Sequence, residues 1–207
     1  MTRPLIKICG ITRMRDALLC ASLGADMLGF IFHEPSPRNV DPKIARAVPV
    51  GGPLKVGVFV RQQADEILRI MEECRLDLAQ LHGGHDVDTC EALGRDRVLK
   101  VLWPERYDSA ASFEADVERF APHCRHLLLD AGTSGGGHGT AIDFSGLDPE
   151  RIQSSWMLAG GLGPSNVVAA AALHPDGLDV NSGVESAPGI KDETKLRELF
   201  SLLRNEQ

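Results

Sequence analysis

Eight short apolar runs, each followed by an amphipathic stretch, recur from one end of this chain to the other, and that alternation limits the folds open to it. The runs are Leu5–Cys9, Met27–Phe32, Leu54–Val60, Leu78–Leu81, Val98–Trp103, His126–Asp130, Trp156–Ala159 and Leu178–Val180. Between them lie Met14–Leu23, Pro42–Ala47, Gln63–Cys74, Asp86–Leu93, Ala110–Phe120, Pro164–Leu173 and Asp192–Leu203. The connection after Asp130 departs from the pattern: its glycine-rich Thr133–Gly139 reads as loop, with at most a short helix before Trp156. Strand–helix alternation with short connections is the sequence form of a parallel sheet covered by helices. Eight such units, averaging about 26 residues, predict a compact α/β fold, the (β/α)8 TIM barrel. No linker or low-complexity tract divides the chain, so residues 1–207 are expected to form a single domain.

Bulk properties narrow the function classes. A hydrophobic content of 43% with 25% charged residues is that of an ordinary globular protein. The net charge of −7 argues against nucleic acid as a partner, which needs a basic face. A small anion is still admissible, because a few backbone amides can create a locally positive site. The opening MTRPLIKICG holds no signal-peptide core, and no apolar run approaches the roughly 20 residues of a membrane span. Five cysteines form no CxxC pair, which fits free thiols in a reducing compartment. The expected setting is cytoplasmic, with no membrane partner.

In a barrel of this kind the chemistry sits at the C-terminal strand ends. After the seventh strand comes Ala159-Gly-Gly-Leu-Gly-Pro-Ser-Asn166, and after the eighth Asp179-Val-Asn-Ser-Gly-Val-Glu185. Glycines admit an oxyanion close to backbone N–H groups, and a helix N-terminus adds partial positive charge. Either loop alone reads as a tight turn; the two at consecutive strand ends point to phosphate binding. Cys9 ends the first strand, and Lys7 shares its face by period-2 alternation, so an ammonium near the sulfur would favour thiolate. On the residues alone, however, a buried inert thiol outweighs a reactive one. Asp130 ends HLLLD, where desolvation would suit an acid, although a turn or capping aspartate fits equally well. In the ring, Cys9 and Asp130 would face each other across the mouth, as a base and an acid of an isomerisation do. Arg38, in Glu34-Pro-Ser-Pro-Arg38, has the geometry to grip a carboxylate, but by itself reads as a solvated loop residue. The seven histidines have no ligand pattern, and no metal and no cofactor are expected. Gly135-Gly-Gly-His-Gly139 matches neither dinucleotide nor P-loop spacing.

Taken in order, these fragments resemble the phosphoribosylanthranilate isomerase family. The matching residues are Lys7-Ile-Cys-Gly-Ile-Thr12, Gly29-Phe-Ile-Phe32 with Ser36-Pro-Arg38, Val56-Gly-Val-Phe59 and Gln80-Leu-His-Gly83. Asp130 with Ile142-Asp-Phe144, Leu158-Ala-Gly-Gly-Leu162 with Pro164-Ser-Asn-Val167, and Asp179 to Glu185 with Gly189-Ile-Lys-Asp192 follow. The resemblance implies an Amadori rearrangement in tryptophan biosynthesis, with Cys9 as general base and Asp130 as general acid. That overturns the inert reading of Cys9. It also implies a substrate-binding set of Arg38 for the anthranilate carboxylate, with Gly160, Gly161, Asp179, Ser182 and Gly183 around the phosphate. The implied partner is a small sugar phosphate, bound by a monomer or homodimer. One stretch departs from the family: Gly136-Gly-His-Gly-Thr140 stands where Gly-Gly-Thr-Gly-Lys is common, so a positive charge is missing.

Two rivals are weaker. The histidine-pathway isomerases pair aspartates at strands 1 and 5, where this chain carries Cys9 and Trp103. A non-catalytic phosphate-binding barrel has no use for a thiol and a carboxylate at one rim.

Overall fold

The computed structural model describes residues 3–130, 152 and 154–204. Strands β1 (Leu5–Ile8), β2 (Met27–Phe32), β3 (Leu54–Phe59), β4 (Leu78–Leu81), β5 (Val98–Leu102), β6 (His126–Asp130), β7 (Trp156–Ala159) and β8 (Gly177–Val180) pair in sequence order. All are parallel, and β8 returns to β1 to close the expected barrel, setting Lys7 beside Asp179. Cys9, Val60 and Trp103, expected as last strand residues, lie one position beyond their strands. Cys9 still donates its N–H to the Val180 carbonyl at 2.8 Å, so its side chain is fixed at the rim. The expectations for Thr133–Gly139, and for a short helix before Trp156, fall outside the described residues.

The helices are α1 (Met14–Leu23), α2 (Pro42–Ala47), α3 (Ala64–Cys74), α4 (Val87–Leu93), α5 (Ala110–Phe120), α6 (Val167–Ala171) and α7 (Glu193–Arg204). Helix α3 buries Ile67, Met71 and Cys74, and α7 buries Leu196, Leu199, Phe200 and Leu203. This is the i, i+3/i+4, i+7 stripe that a barrel-covering helix needs. Their starts are set by side chains: Asp86 accepts from Thr89 N ahead of α4, and Ser109 and Ser112 form a capping box ahead of α5. Lys55, pointing outward from β3, donates to Ala45 O (2.9 Å) and Cys74 O (2.7 Å), tying down the last turns of α2 and α3. Helix α6 is shorter than the expected Pro164–Leu173. Asn166 Oδ1 accepts from Gly163 N at 2.9 Å and holds residues 164–166 as a turn, so the helix starts only at Val167. No helix among the described residues is long and apolar enough to cross a membrane.

The core has two layers. One lies between barrel and helices; the other fills the barrel with Met27, Val56, Leu78, Leu99, Val101, Leu128, Met157 and Ala159. Every second strand residue faces inward, so the inward positions nearer the C-terminal ends are read off directly from this apolar floor. They are Lys7, Cys9, Gly29, Val58, Gln80, Asp130 and Asp179, a markedly more polar set. Beyond β8 the chain makes a 3-10 turn (Ser182–Val184) and an antiparallel hairpin of β9 (Glu185–Ala187) and β10 (Ile190–Lys191), which the sequence reading did not anticipate.

Candidate active site

A cavity of ≈ 200 Å³ opens at the C-terminal end of the barrel above the apolar floor. Cys9, Arg38, Asp130, Gly160, Gly161, Asp179 and Ser182 all line it. Of the residues expected from sequence to be catalytic or substrate-binding, Gly183 is the one outside this lining.

Cys9 comes from the end of β1 and is 4% exposed. Its neighbour Lys7 is fully buried, with Nζ 2.8 Å from both carboxylate oxygens of Asp179 across the β1–β8 seam. Both groups fit because β2 carries glycine opposite them. A Cβ at Gly29 would lie 2.8 Å from Cys9 Sγ and 3.1 Å from Lys7 Nζ. Burial opposes the Lys7 ammonium, but the Asp179 and Cys9 charges more than offset it, and the Lys7 pKa is raised. Burial also pushes the Cys9 thiol up; Lys7 and Lys191 pull it down and Asp179 pushes it up, with burial prevailing. The pull of Lys7 on the thiol is therefore present but partial, and burial keeps the thiol above its ordinary pKa. Asp179, grouped with the substrate-binding residues from sequence, reaches the cavity wall but gives both oxygens to Lys7.

Asp130 ends β6, 9% exposed, paired with Ala159 of β7 and following three buried leucines. Strands β1 and β6 are three apart around the ring, so Cys9 and Asp130 approach the cavity from opposite sides.

The two glycine loops meet. Gly160 and Gly161 have positive φ (107° and 57°), which turns the backbone after β7 toward the cavity. Gly183, after β8, packs on the β7 loop so closely that a Cβ there would run into Leu162 O. Gly183 thus sets the spacing of the two loops. Helix α6 has five residues, so the anion-binding capacity here rests on loop amides more than on a helix terminus. Gly183→Ala is expected to cost about 1–3 kcal/mol of stability, the usual cost of overpacking, and to weaken inorganic phosphate binding by spreading the loops. Thermal unfolding and phosphate titration measure the two effects; a variant matching wild type in both would show the contact to be dispensable.

Arg38 enters from the loop after β2 and is not the solvated residue its sequence context allows. Its Nε lies 3.0 Å from both oxygens of Glu185, and its Nη2 lies 2.7 Å from Oε2. Among the described residues Nη1 makes no hydrogen bond, so the Nη1–Nη2 edge is available to a ligand carboxylate. Glu185 and Lys191, from the β9–β10 hairpin, were not sequence candidates, and neither was Asn181. Gln80 and His82 were quoted only as matching residues and given no role. They face inward from β4, and burial pushes the His82 imidazole down to about 4, so it is neutral near pH 7. Gln80 Nε2 approaches His82 Nδ1 at 3.5 Å, and Gln80 Oε1 has no partner among the described residues. Period-2 counting back from the end of β4 was the signal that locates both.

A closed parallel barrel with a thiol and a carboxylate facing across its mouth, glycine loops after β7 and β8 and an arginine at the rim defines an enzyme of the (β/α)8 class that binds an anion and moves protons. Comparison with known proteins gives the particular family. The family model described as N-(5'phosphoribosyl)anthranilate (PRA) isomerase matches residues 6–201. The N-(5'-phosphoribosyl)anthranilate isomerase of Maridesulfovibrio salexigens is 51% identical over 200 residues, covering 96% of this chain and 98% of that protein. The crystal structure of phosphoribosyl anthranilate isomerase from Thermus thermophilus superposes with a TM-score of 0.84 at 37% identity, covering 98% of this chain and 100% of that one. A structure of the enzyme in complex with reduced 1-(o-carboxyphenylamino)-1-deoxyribulose 5-phosphate matches with a TM-score of 0.81 at 29% identity, over 98% and 99% of the two chains. This chain belongs to the N-(5'-phosphoribosyl)anthranilate isomerase family.

Proposed function

We propose that this chain, acting as one domain in the cytoplasm, isomerises N-(5-phosphoribosyl)anthranilate to 1-(2-carboxyphenylamino)-1-deoxyribulose 5-phosphate. This is the third step of tryptophan biosynthesis from chorismate. The observation that carries the reading is the placement of Cys9 and Asp130 on opposite sides of one cavity whose third side is the paired glycine loops. The solved relative that holds a reduced product analogue supports the substrate class.

In this reading the backbone around Gly160, Gly161 and Ser182 holds the phosphate, and Arg38 holds the anthranilate carboxylate through its Nη1–Nη2 edge. Asp130 gives its proton to the furanose ring oxygen, which leaves with the C1–O bonding pair as the anilino nitrogen forms a Schiff base at C1. The Cys9 thiolate then takes the C2 proton, and the electrons of that C–H bond form the enolamine. Protonation at C1 with loss of the C2 hydroxyl proton gives the ketone. The transfers to the ring oxygen and from C2 are assigned to side chains, and no cofactor is required. Freshly made phosphoribosylanthranilate is fluorescent, and adding purified protein should make the fluorescence decay catalytically. Stoichiometric binding with no decay beyond the spontaneous rate would sink the reading.

The Lys7 geometry adds a pH prediction. Lys7 holds the thiol pKa down, whereas Asp179 holds it up. Lys7→Met removes the first influence and leaves the second, so the Cys9 pKa rises. Below that pKa each unit of upward shift leaves about tenfold less thiolate at a given pH. The ascending limb of kcat/KM against pH should move to higher pH, which loss of packing alone does not produce. An unmoved limb would show that Lys7 does not act on Cys9.

A further inference from the structure

The hairpin beyond β8 does more than close the barrel. Its Glu185 takes the Nε–Nη2 edge of Arg38, and its Lys191 Nζ sits 3.0 Å from Glu185 Oε1. The three groups form one buried line: Arg38 is 13% exposed, Glu185 4% and Lys191 fully buried at their side chains. Lys191 is fixed further by Asn181, whose O and Oδ1 lie 3.1 and 3.0 Å from Nζ. Its backbone N–H donates to Asp16 Oδ2 at 3.2 Å, and Asp16 is itself paired with Arg13. Gly189 N donates to Glu185 Oε1 at 3.1 Å, and Lys195 reaches Glu185 only through its backbone carbonyl.

The charges decide what this line does. Arg38 and Glu185 alone would be a neutral pair, and a substrate carboxylate approaching Arg38 would meet the Glu185 carboxylate behind it. Burial works against the Lys191 ammonium and lowers its pKa, while the adjoining Glu185 carboxylate favours it; with the ammonium in place the line carries two positive charges and one negative, and one positive charge is left over beside the cavity. We propose that Lys191 is a specificity-determining residue of this site: by neutralising Glu185 it keeps the charge of Arg38 available to the carboxylate of the substrate. The proposal rests on the reading that Arg38 binds that carboxylate. Lys191 acts through Arg38 and touches no reacting atom, so it is a positioning residue.

The test compares equilibrium binding of two unreactive ligands, so proton transfer by Cys9 does not enter. One is reduced 1-(o-carboxyphenylamino)-1-deoxyribulose 5-phosphate; the other is its phenylamino counterpart without the carboxyl group. The ratio of their affinities reads carboxylate preference with phosphate binding cancelled. Lys191→Met should lower that ratio about ten- to hundredfold, the effect of one unit charge at about 6 Å in a site of effective dielectric near 20. The double variant Lys191→Met/Glu185→Gln removes both charges, returns the line to one net positive charge and should recover most of the ratio. Glu185→Gln alone leaves two positive charges, and its ratio should equal or exceed that of wild type. A wild-type ratio in Lys191→Met overturns the proposal, and so does a double variant as poor as the single one, because Lys191 would then act by packing. If Lys191→Met does not fold, the comparison of Glu185→Gln with wild type decides, and a fall in the ratio overturns the charge argument. Arg38→Ala is the separate control. If it leaves the ratio unchanged, the carboxylate is bound elsewhere and the underlying reading fails, whatever the Lys191 variants do.

Discussion

Cys9→Ala is expected to reduce kcat by about 10²–10⁴-fold, the usual consequence of losing a positioned base, while a bound product analogue keeps most of its affinity. The asymmetry follows from where the sulfur sits. Cys9 is held by its backbone bond to Val180 and by the space over Gly29, and it belongs to neither the glycine loops nor the Arg38 line. Removing Sγ therefore deletes the atom that takes the proton and leaves the anchors of the substrate in place. Cys9→Ser is expected to be as inactive, because a hydroxyl in the same buried position is a far weaker acid than a thiol and stays protonated. The wild-type profile carries the companion signature. Burial keeps the thiol above its ordinary pKa, so the thiolate is the minor form near neutrality and its fraction rises about tenfold per pH unit below that pKa. Activity should climb along this limb toward alkaline pH for as long as Asp130 keeps its proton. Steady-state fluorescence assays measure both, with circular dichroism as a check on folding; wild-type turnover in Cys9→Ala would place the base elsewhere on the rim.

The barrel was legible because its strands are short and apolar, and because the helical stretches between them bury one stripe each. Closure adds information that the linear reading left unused. Once β8 pairs with β1, alternation alone puts Lys7 and Asp179 side by side, although 172 positions separate them. The same counting places Gln80 and His82 in the cavity wall. Other features were out of reach. The Arg38–Glu185 contact spans 147 positions and joins an irregular loop to a three-residue strand, where no periodicity says which way a side chain turns. The β9–β10 hairpin has two- and three-residue strands, too short to leave a pattern. Gly183 was read as an anion-binding glycine, and its close packing on the loop after β7 was not foreseen, because a glycine that admits a ligand and one that admits another loop look alike in sequence. The length of α6 was misjudged for a related reason: whether Asn166 extends the helix or braces the preceding turn depends on a hydrogen bond to Gly163.

Asp130→Asn should lower kcat by a similar factor, about 10²–10⁴-fold, and it separates the acid role from shape and polarity. Asparagine has nearly the size of aspartate and still donates and accepts hydrogen bonds, so the packing of β6 against Ala159 of β7 and over the Leu128 layer is preserved. Its amide does not release a proton to the furanose ring oxygen, so the C1–O bond breaks without a proton donor and ring opening becomes rate-limiting. Anchoring is assigned to the glycine loops and Arg38, so the dissociation constant of the reduced product analogue should move by far less than kcat. The pH profile distinguishes the two catalytic residues as well. In Asp130→Asn the descending limb that reports loss of the acid's proton should disappear, while the ascending limb from Cys9 stays where it is in wild type. A substrate whose ring is already open would bypass the lost step, and its conversion should be nearly as fast in the variant as in wild type. Near wild-type kcat for Asp130→Asn on phosphoribosylanthranilate at neutral pH would make the carboxylate structural and leave ring opening to another group on the cavity wall, of which the neutral His82 is the nearest in chemistry.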